Sequence, residues 1–381
     1  MWQLIHDAWW RLATTTQPRS LPDSLLSGVL QGGACVYQSG VAARNQAYDR
    51  GWCRPVRLSC PVISVGNVTV GGTGKTICVE LLASKLQQLG LRVVVLSRGY
   101  GGHRPGPYTL TRQAGQLCVD GAPVAQQNGL ADEPQLLAMH LNGVPVVVGA
   151  RREHTGRYAC ASLGADVLLL DDGFQHRQLY RDCDVVLVQA RMPLGGWPLF
   201  PRGPMREPLS ALQRAQIMII TKVDQSLEVS AALQERLKAI NPEAVIATAM
   251  HEPVDLWDPF SDTTLPLQQL ERRRVSLVSS IGDPEGFEQG IRRLGAVVAS
   301  HHAFPDHHAY TAQEWAAVLA KASSAQAEAV VTTEKDVMRV RPVWRQDAGA
   351  SVVPVWVLRV RMRLLSGEAL LDARLAAVHT R

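Results

Sequence analysis

Short, almost wholly apolar runs alternate with amphipathic stretches along most of this chain. Val62-Ile63-Ser64-Val65 opens the series, followed by a glycine-rich turn and a helical stretch from about Lys75 to Leu89. Val93-Val94-Val95-Leu96, Val146-Val147-Val148, Val167-Leu168-Leu169-Leu170, Val185-Val186-Leu187-Val188 and Ile217-Met218-Ile219-Ile220 continue it. Helices are expected from near Asp132, over 152–162 and over 208–215. A strand apolar on both sides must be covered on both faces, which predicts an α/β fold with a mostly parallel sheet between helices. A mixed stretch at 251–274, carrying Pro253, Pro259 and Pro266, reads as a connection. A second series follows, with strands at 275–278, 296–299, 329–331 and 355–358 and helices near 284–293 and over 311–322. The expected organisation is therefore an N-terminal segment 1–55, a core 56–250, the connection 251–274 and a smaller C-terminal α/β lobe 275–381.

The first segment has a different character. Leu25, Leu26, Val29, Leu30, Val36, Tyr37 and Val41 fall mostly at three- and four-residue steps, a helical period, with Arg44, Arg50 and Arg54 beyond them. Four of the nine Trp (Trp2, Trp9, Trp10 and Trp52) lie in this segment. Aromatic and Arg side chains suit a membrane interface, so the segment reads either as an amphipathic helix on a membrane surface or as one packed on the protein core. The N-terminus lacks a signal-peptide layout, and no apolar run approaches the length of a membrane span.

Composition narrows the classes. Apolar residues at 46% and charged residues at 19% describe a globular chain rather than a disordered one. A net charge of +5, with no basic block longer than Arg272-Arg273-Arg274, argues against a nucleic-acid binder. The seven Cys are odd in number and lack CxxC spacing, so neither a disulfide framework nor a zinc site is expected, and a reducing cytosol is the default.

Thr69-Val70-Gly71-Gly72-Thr73-Gly74-Lys75-Thr76 sits directly between the first strand and the first core helix. Glycines let backbone N–H groups curl around a polyphosphate, and the helix adds its positive N-terminus. Lys75 would reach the β- and γ-phosphates and the Thr76 hydroxyl a Mg²⁺ ion. This makes the sheet one of P-loop NTPase type. A second apolar strand ends in Asp171-Asp172-Gly173, the layout of a metal-binding carboxylate in such enzymes.

Other groups stay open on spacing alone. Asp132-Glu133-Pro134 is an ordinary helix start or a general base beside the γ-phosphate. His301-His302 and His307-His308 around Asp306 read as loop histidines, a proton relay or a metal site. Arg151, Arg152 and Arg206 bind phosphate or form surface ion pairs. Ser97-Arg98-Gly99-Tyr100-Gly101-Gly102 is flexible enough to approach a ligand closely. Thr221-Lys222-Val223-Asp224 is similar to a guanine-reading signature, or is a plain strand exit.

Taken together, the chain closely resembles the tetraacyldisaccharide 4′-kinase family of lipid A synthesis, nearly end to end. The resemblance rests on Gly66–Thr76, Ser97–Gly101, Asp132-Glu133-Pro134, Asp171-Asp172-Gly173-Phe174-Gln175-His176, Arg206-Glu207-Pro208, Phe304-Pro305-Asp306-His307-His308 and Thr333-Glu334-Lys335-Asp336. It implies ATP- and Mg²⁺-dependent phosphorylation of the 4′-hydroxyl of a tetraacylated glucosamine disaccharide 1-phosphate. It also implies an N-terminal helix docked peripherally on the cytoplasmic face of the inner membrane. By resemblance, Asp132 is the base, assisted by His307. Lys75 and the rest of 69–76 hold ATP. Thr76, Asp171, Asp172 and Glu207 form the metal and catalytic set, and Arg152, Gln175 and Asp306 are neighbours of the site. No nucleic acid is implied, and the sequence names no protein partner. Two competing readings are a GTP-driven switch, which an Asp at position 170 would favour but Leu170 does not, and a membrane scaffold with an inactive phosphate loop.

Overall fold

We describe the chain from a computed structural model, which covers residues 21–124, 129–192, 196–225, 227–344 and 353–379. Trp2, Trp9, Trp10 and the rest of 1–20 lie outside the described residues. Helix α1 (Leu21–Asp49) leads to β1 (Val62–Asn67), and the phosphate loop joins β1 to α2 (Lys75–Gln88). The first half continues through β2 (Val93–Ser97), β3 (Tyr108–Gln113), β4 (Gln116–Val119), β5 (Ala122–Pro123), α3 (Asp132–His140), β6 (Val146–Val148), α4 (Arg152–Ser162), β7 (Val167–Asp171), β8 (Cys183–Gln189), β9 (Ile217–Thr221), α5 (Leu227–Ile240) and β10 (Val245–Asp258). The second half comprises β11 (Thr263–Leu265), β12 (Arg274–Ser279), α6 (Pro284–Arg293), β13 (Val297–Ala303), α7 (Ala312–Ser324), β14 (Ala329–Thr333), α8 (Glu334–Trp344), β15 (Val355–Ser366) and α9 (Glu368–His379).

All these strands join one sheet, ordered β13-β12-β14-β15-β10-β9-β8-β1-β7-β2-β6-β3-β4-β5, with β11 paired to β10. The apolar runs form its centre. β1, β2, β6, β7 and β9 are buried at every residue, as strands with helices on both faces must be. β1 lies between β7 and β8 and pairs parallel with both, so the phosphate loop and the acids at the end of β7 lie at the same edge of the sheet.

The join between the halves differs from the expected connection at 251–274. β10 runs straight through its first part, parallel to β9 at Val245–Thr248 and then antiparallel to β15 as far as Trp257. Partial burial along most of this strand, and a register shift beside Pro253, kept it from reading as an apolar run. The chain end also departs from a C-terminal lobe at 275–381. Leu371, Leu375 and Val378 of α9 join the same core as Leu82 and Leu86 of α2, and Lys85 on α2 pairs with Glu368 and Asp372. The helix expected at 208–215 is a 3₁₀ turn, Leu209–Arg214.

The cysteine expectation fails at one pair. Cys60, just before β1, and Cys160, on α4, form a disulfide, with Cα atoms 6.1 Å apart. Their separation of 100 residues hid a proximity that only the packing of α4 on the sheet creates.

Helix α1 has two faces. Ala34 and Val41 are buried, and Tyr37 Oη donates to the Arg206 carbonyl at 3.0 Å. Leu25, Leu26, Val29 and Val36 are exposed. None of the described helices is long and apolar enough to cross a membrane.

Candidate active site

The phosphate loop is shaped by its own backbone and by a brace from the segment ahead of the 3₁₀ turn. Val70 N–H donates to the Pro204 carbonyl at 2.7 Å, and Arg206 N–H donates to that of Val68 at 2.7 Å. Gly71 and Gly74 take φ of 104° and 89°, values that an L side chain resists, which is the physical need behind two of the three glycines. Asn67, at the end of β1, donates from Nδ2 to Thr73 Oγ1 at 2.9 Å and accepts from Lys75 Nζ at 3.4 Å. Lys75 also lies 3.3 Å from Asp172 Oδ1. Thr76 is buried at the start of α2.

The two acids at the end of β7 occupy contrasting settings. Asp171 is buried and accepts from Ser97 Oγ, at the end of β2, at 3.4 Å. Burial first, and then the Glu133 and Asp172 charges, raise its carboxyl above the usual range. Asp172 is also subject to burial, but Lys75 and the Arg206 guanidinium outweigh it and lower its carboxyl. Arg206 Nη1 donates to both Asp172 oxygens at 2.9 Å. Arg152 is buried and donates from Nη2 to the Asp171 carbonyl at 3.1 Å. Gln175 donates from Nε2 to the Asn67 carbonyl at 2.9 Å, and its Oε1 is buried without a partner among the described residues.

A third pair of acids enters from α3, and here the second half of the chain reaches across. Lys335 Nζ lies 2.5 Å from Glu133 Oε1, and Arg339 Nε donates to Asp132 Oδ2 at 2.6 Å. Burial raises the Glu133 carboxyl, but Lys335 and then Lys75 more than offset it and hold it well down. Arg339 Nη2 also bonds His307 Nδ1 at 3.0 Å. His307 and Asp132 are thus joined through Arg339. Asp306 Oδ1 stands 3.9 Å from His307 Nε2, a longer approach than the guanidinium makes. Tyr100, from the loop after β2, meets the His307 ring edge-on with centroids 5.8 Å apart. The backbone before α6 covers the phosphate loop: a Cβ placed on Gly282 would fall 2.6 Å from Gly72 N.

One expectation is corrected. Glu207 does not join the acids near Lys75. It is fully buried, and its carboxylate is bonded by Arg214 Nη2 at 3.0 and 3.1 Å and by Asn45 Nδ2 of α1 at 2.9 Å, with Arg44 at 3.4 Å. Its neighbour Arg206 is the residue that reaches Asp172. The guanine-like signature is also accounted for otherwise, because Lys222 bonds Asp283 at 2.5 Å and Asp224 pairs with Arg293 at 2.8 Å, at the two ends of α6. The four histidines do not cluster. His301 bonds Glu288 and Ser279, His308 bonds Glu314, and the described residues hold no group of three metal-ligating side chains of the His, Cys, Asp or Glu type. Arg339 and Lys335 are what sequence reasoning missed as site residues. Lys335 lies inside a quoted motif, but nothing local showed that α8 packs on α3.

A glycine-rich loop between a buried parallel strand and a helix, with a lysine at its end and carboxylates from the neighbouring strand and from α3 around it, defines a P-loop nucleotide-binding enzyme. The family model described as tetraacyldisaccharide-1-P 4′-kinase, LpxK, matches residues 27–379, and the chain belongs to that family. A tetraacyldisaccharide 4′-kinase of Anaeromyxobacter dehalogenans is 42% identical over 97% of this chain and 93% of its own. One of Syntrophus aciditrophicus is 40% identical over 86% of this chain and 87% of its own. Among solved structures, "apo" form LpxK from Aquifex aeolicus in complex with ATP superposes with a TM-score of 0.69 at 28% identity, covering 93% of this chain and 99% of that one.

Proposed function

We propose that this protein transfers the γ-phosphoryl group of ATP to the 4′-hydroxyl of a tetraacylated glucosamine disaccharide 1-phosphate, the lipid A precursor. The observation that carries the reading is the convergence of Lys75, Asp171, Asp172, Asp132 and Glu133 at one edge of the sheet in a chain of this family. The acceptor oxygen forms a bond to the γ-phosphorus as the bond from that phosphorus to the bridging oxygen breaks, and ADP leaves. The hydroxyl proton passes to the Asp132 carboxylate, one oxygen of which is held by Arg339 while the other remains to accept. His307 assists from the second half of the chain, with Asp306 beside it. Residues 69–74 cradle the phosphates, and Lys75 offsets charge on the transferring group.

Mg²⁺ fits the oxygen donors present. The Thr76 hydroxyl and the buried Asp171 carboxylate would hold it, with Asp172 less available because Arg206 and Lys75 occupy it. When bound, the ion neutralises phosphate charge. Arg152 and Gln175 line the same edge, and Gln175 Oε1 offers an acceptor to a ligand hydroxyl.

The exposed apolar face of α1 supports peripheral contact with a membrane, on the cytoplasmic face of the inner membrane where such a precursor is made. Its opposite face is held to the protein by Ala34, Val41 and the Asn45–Glu207 bond.

The test is transfer of label from γ-labelled ATP to the disaccharide 1-phosphate in detergent micelles with Mg²⁺, beside Lys75→Ala. Transfer that disappears in the variant supports the reading; no transfer, or transfer that survives in Lys75→Ala, refutes it.

A further inference from the structure

We propose that Arg339 is the positioning residue that sets the proposed catalytic pair across the boundary between the two halves of the chain. This rests on the reading of Asp132 as base and His307 as its assistant. Arg339 lies on α8, four residues after Lys335 and therefore on the same face of that helix. Lys335 and Arg339 grip Glu133 and Asp132, which are consecutive in the first turn of α3. The two contacts differ in kind. Lys335 ends on Glu133, whereas the Arg339 fork is used on every side. Its Nε donates to Asp132 Oδ2 at 2.6 Å, its Nη2 to His307 Nδ1 at 3.0 Å, and its Nη1 to Ser280 O at 2.9 Å and Ser280 Oγ at 2.8 Å.

The guanidinium is itself fixed. Its side chain is 4% exposed, and the Ser280 hydroxyl that receives it donates to Asp336 Oδ1 at 2.5 Å, to which Tyr310 Oη also donates at 3.1 Å. Asp336 is fully buried, so this anchor is rigid.

Two consequences follow from the chemistry of the fork. A guanidinium only donates, so the His307 Nδ1 that faces it must accept, and the ring proton sits on Nε2. Asp132 and His307 belong to opposite halves and make no direct bond, so their spacing is set by one planar group that both touch. A lysine, with a single donor centre on a flexible stem, cannot hold both at once. His307 is at a φ of 63°, and its loop backbone is tied by its N–H to the Ser280 carbonyl at 3.3 Å, the same oxygen that Arg339 grips. The arrangement therefore fixes the His307 loop and the Asp132 carboxylate through one residue that need never touch the substrate.

The test is a double-mutant cycle on kcat with Arg339→Ala, His307→Ala and the double variant, measured beside Asp132→Asn, Lys335→Ala and Arg339→Lys, with thermal melts to confirm folding. Misplacing a reacting group by about 1 Å costs on the order of 100-fold in rate, so Arg339→Ala should lose about that factor in kcat with the KM for ATP little changed. Arg339→Lys, which keeps the charge, should stay at least ~10-fold below the wild type and carries the test if Arg339→Ala fails to fold. In the His307→Ala background the Arg339→Ala loss should be smaller, because one of the two groups it positions is gone while its hold on Asp132 remains. An equal loss in both backgrounds, or near wild-type kcat in Arg339→Lys, overturns the inference. If Asp132→Asn and His307→Ala themselves keep near wild-type kcat, the base assignment falls on those single variants, and the role of Arg339 falls with it.

Discussion

His140 should make the hold between the two halves depend on pH. It closes α3, and its ring is clasped from both sides: Nδ1 lies 3.0 Å from Glu80 Oε1 on α2, and Nε2 lies 2.9 Å from Glu334 Oε1 on α8. Burial disfavours its charge, but the two carboxylates prevail and raise its pKa to about 10. From the usual 6.5 that rise corresponds to roughly 5 kcal/mol at about 1.4 kcal/mol per unit. Glu80 takes back part of this, because burial raises its own carboxyl. For His140→Gln we therefore expect a loss nearer 2 kcal/mol, about 4–8 °C in Tm for a chain unfolding in cooperative units of this size. The sign follows from linkage. A pKa raised on folding gives stability that is complete below about 6.5 and is lost as pH climbs through about 10. Thermal melts of wild type and His140→Gln from pH 6 to pH 10 should show their widest gap at pH 6, closing steadily toward pH 10. A gap that is flat across this range, or a variant as stable as wild type at pH 6, would refute the reasoning.

Two further outcomes are expected. Gly282→Ala places a methyl group against backbone, 2.6 Å from Gly72 N, so the second half must back away from the phosphate loop; the KM for ATP should rise several-fold with little change in Tm, and an unchanged KM would show that the loop accommodates it. Glu207→Ala leaves Arg214 and Arg44 without their buried partner, at a cost of about 3–5 kcal/mol. Limited proteolysis should then release α1 much faster than in the wild type, and equal cleavage rates would mean that the helix is held by its apolar contacts alone.

How much of this the sequence disclosed depended on whether a residue's environment was local. Val62–Val65, Val93–Leu96 and Val167–Leu170 were legible because strands buried on both faces have no alternative pattern. The phosphate loop was legible because φ values of 104° and 89° demand glycine at fixed places. β10 was not, since from Met250 onward, where it pairs with β15, most of its residues are only half-buried. Glu207 stands in a motif beside Arg206, and spacing could not tell that adjacent side chains part, one to Asp172 and the other to α1. Lys222 and Asp224 had a familiar pattern, yet α6 takes both. Arg339 carried no signal at all. Its significance exists only once α8 lies on α3.

The return of α9 to α2 has a consequence for biosynthesis. Leu371, Leu375 and Val378, which complete the apolar surface around Leu82 and Leu86, are translated only after the whole of β15. The helix that begins with Lys75 is translated long before this neighbour exists, and the part of its apolar face that α9 covers stays open until then. Nascent chains stalled before residue 368 should therefore be sticky intermediates that depend on chaperones, and loss of α9 would damage the nucleotide-binding end of the molecule.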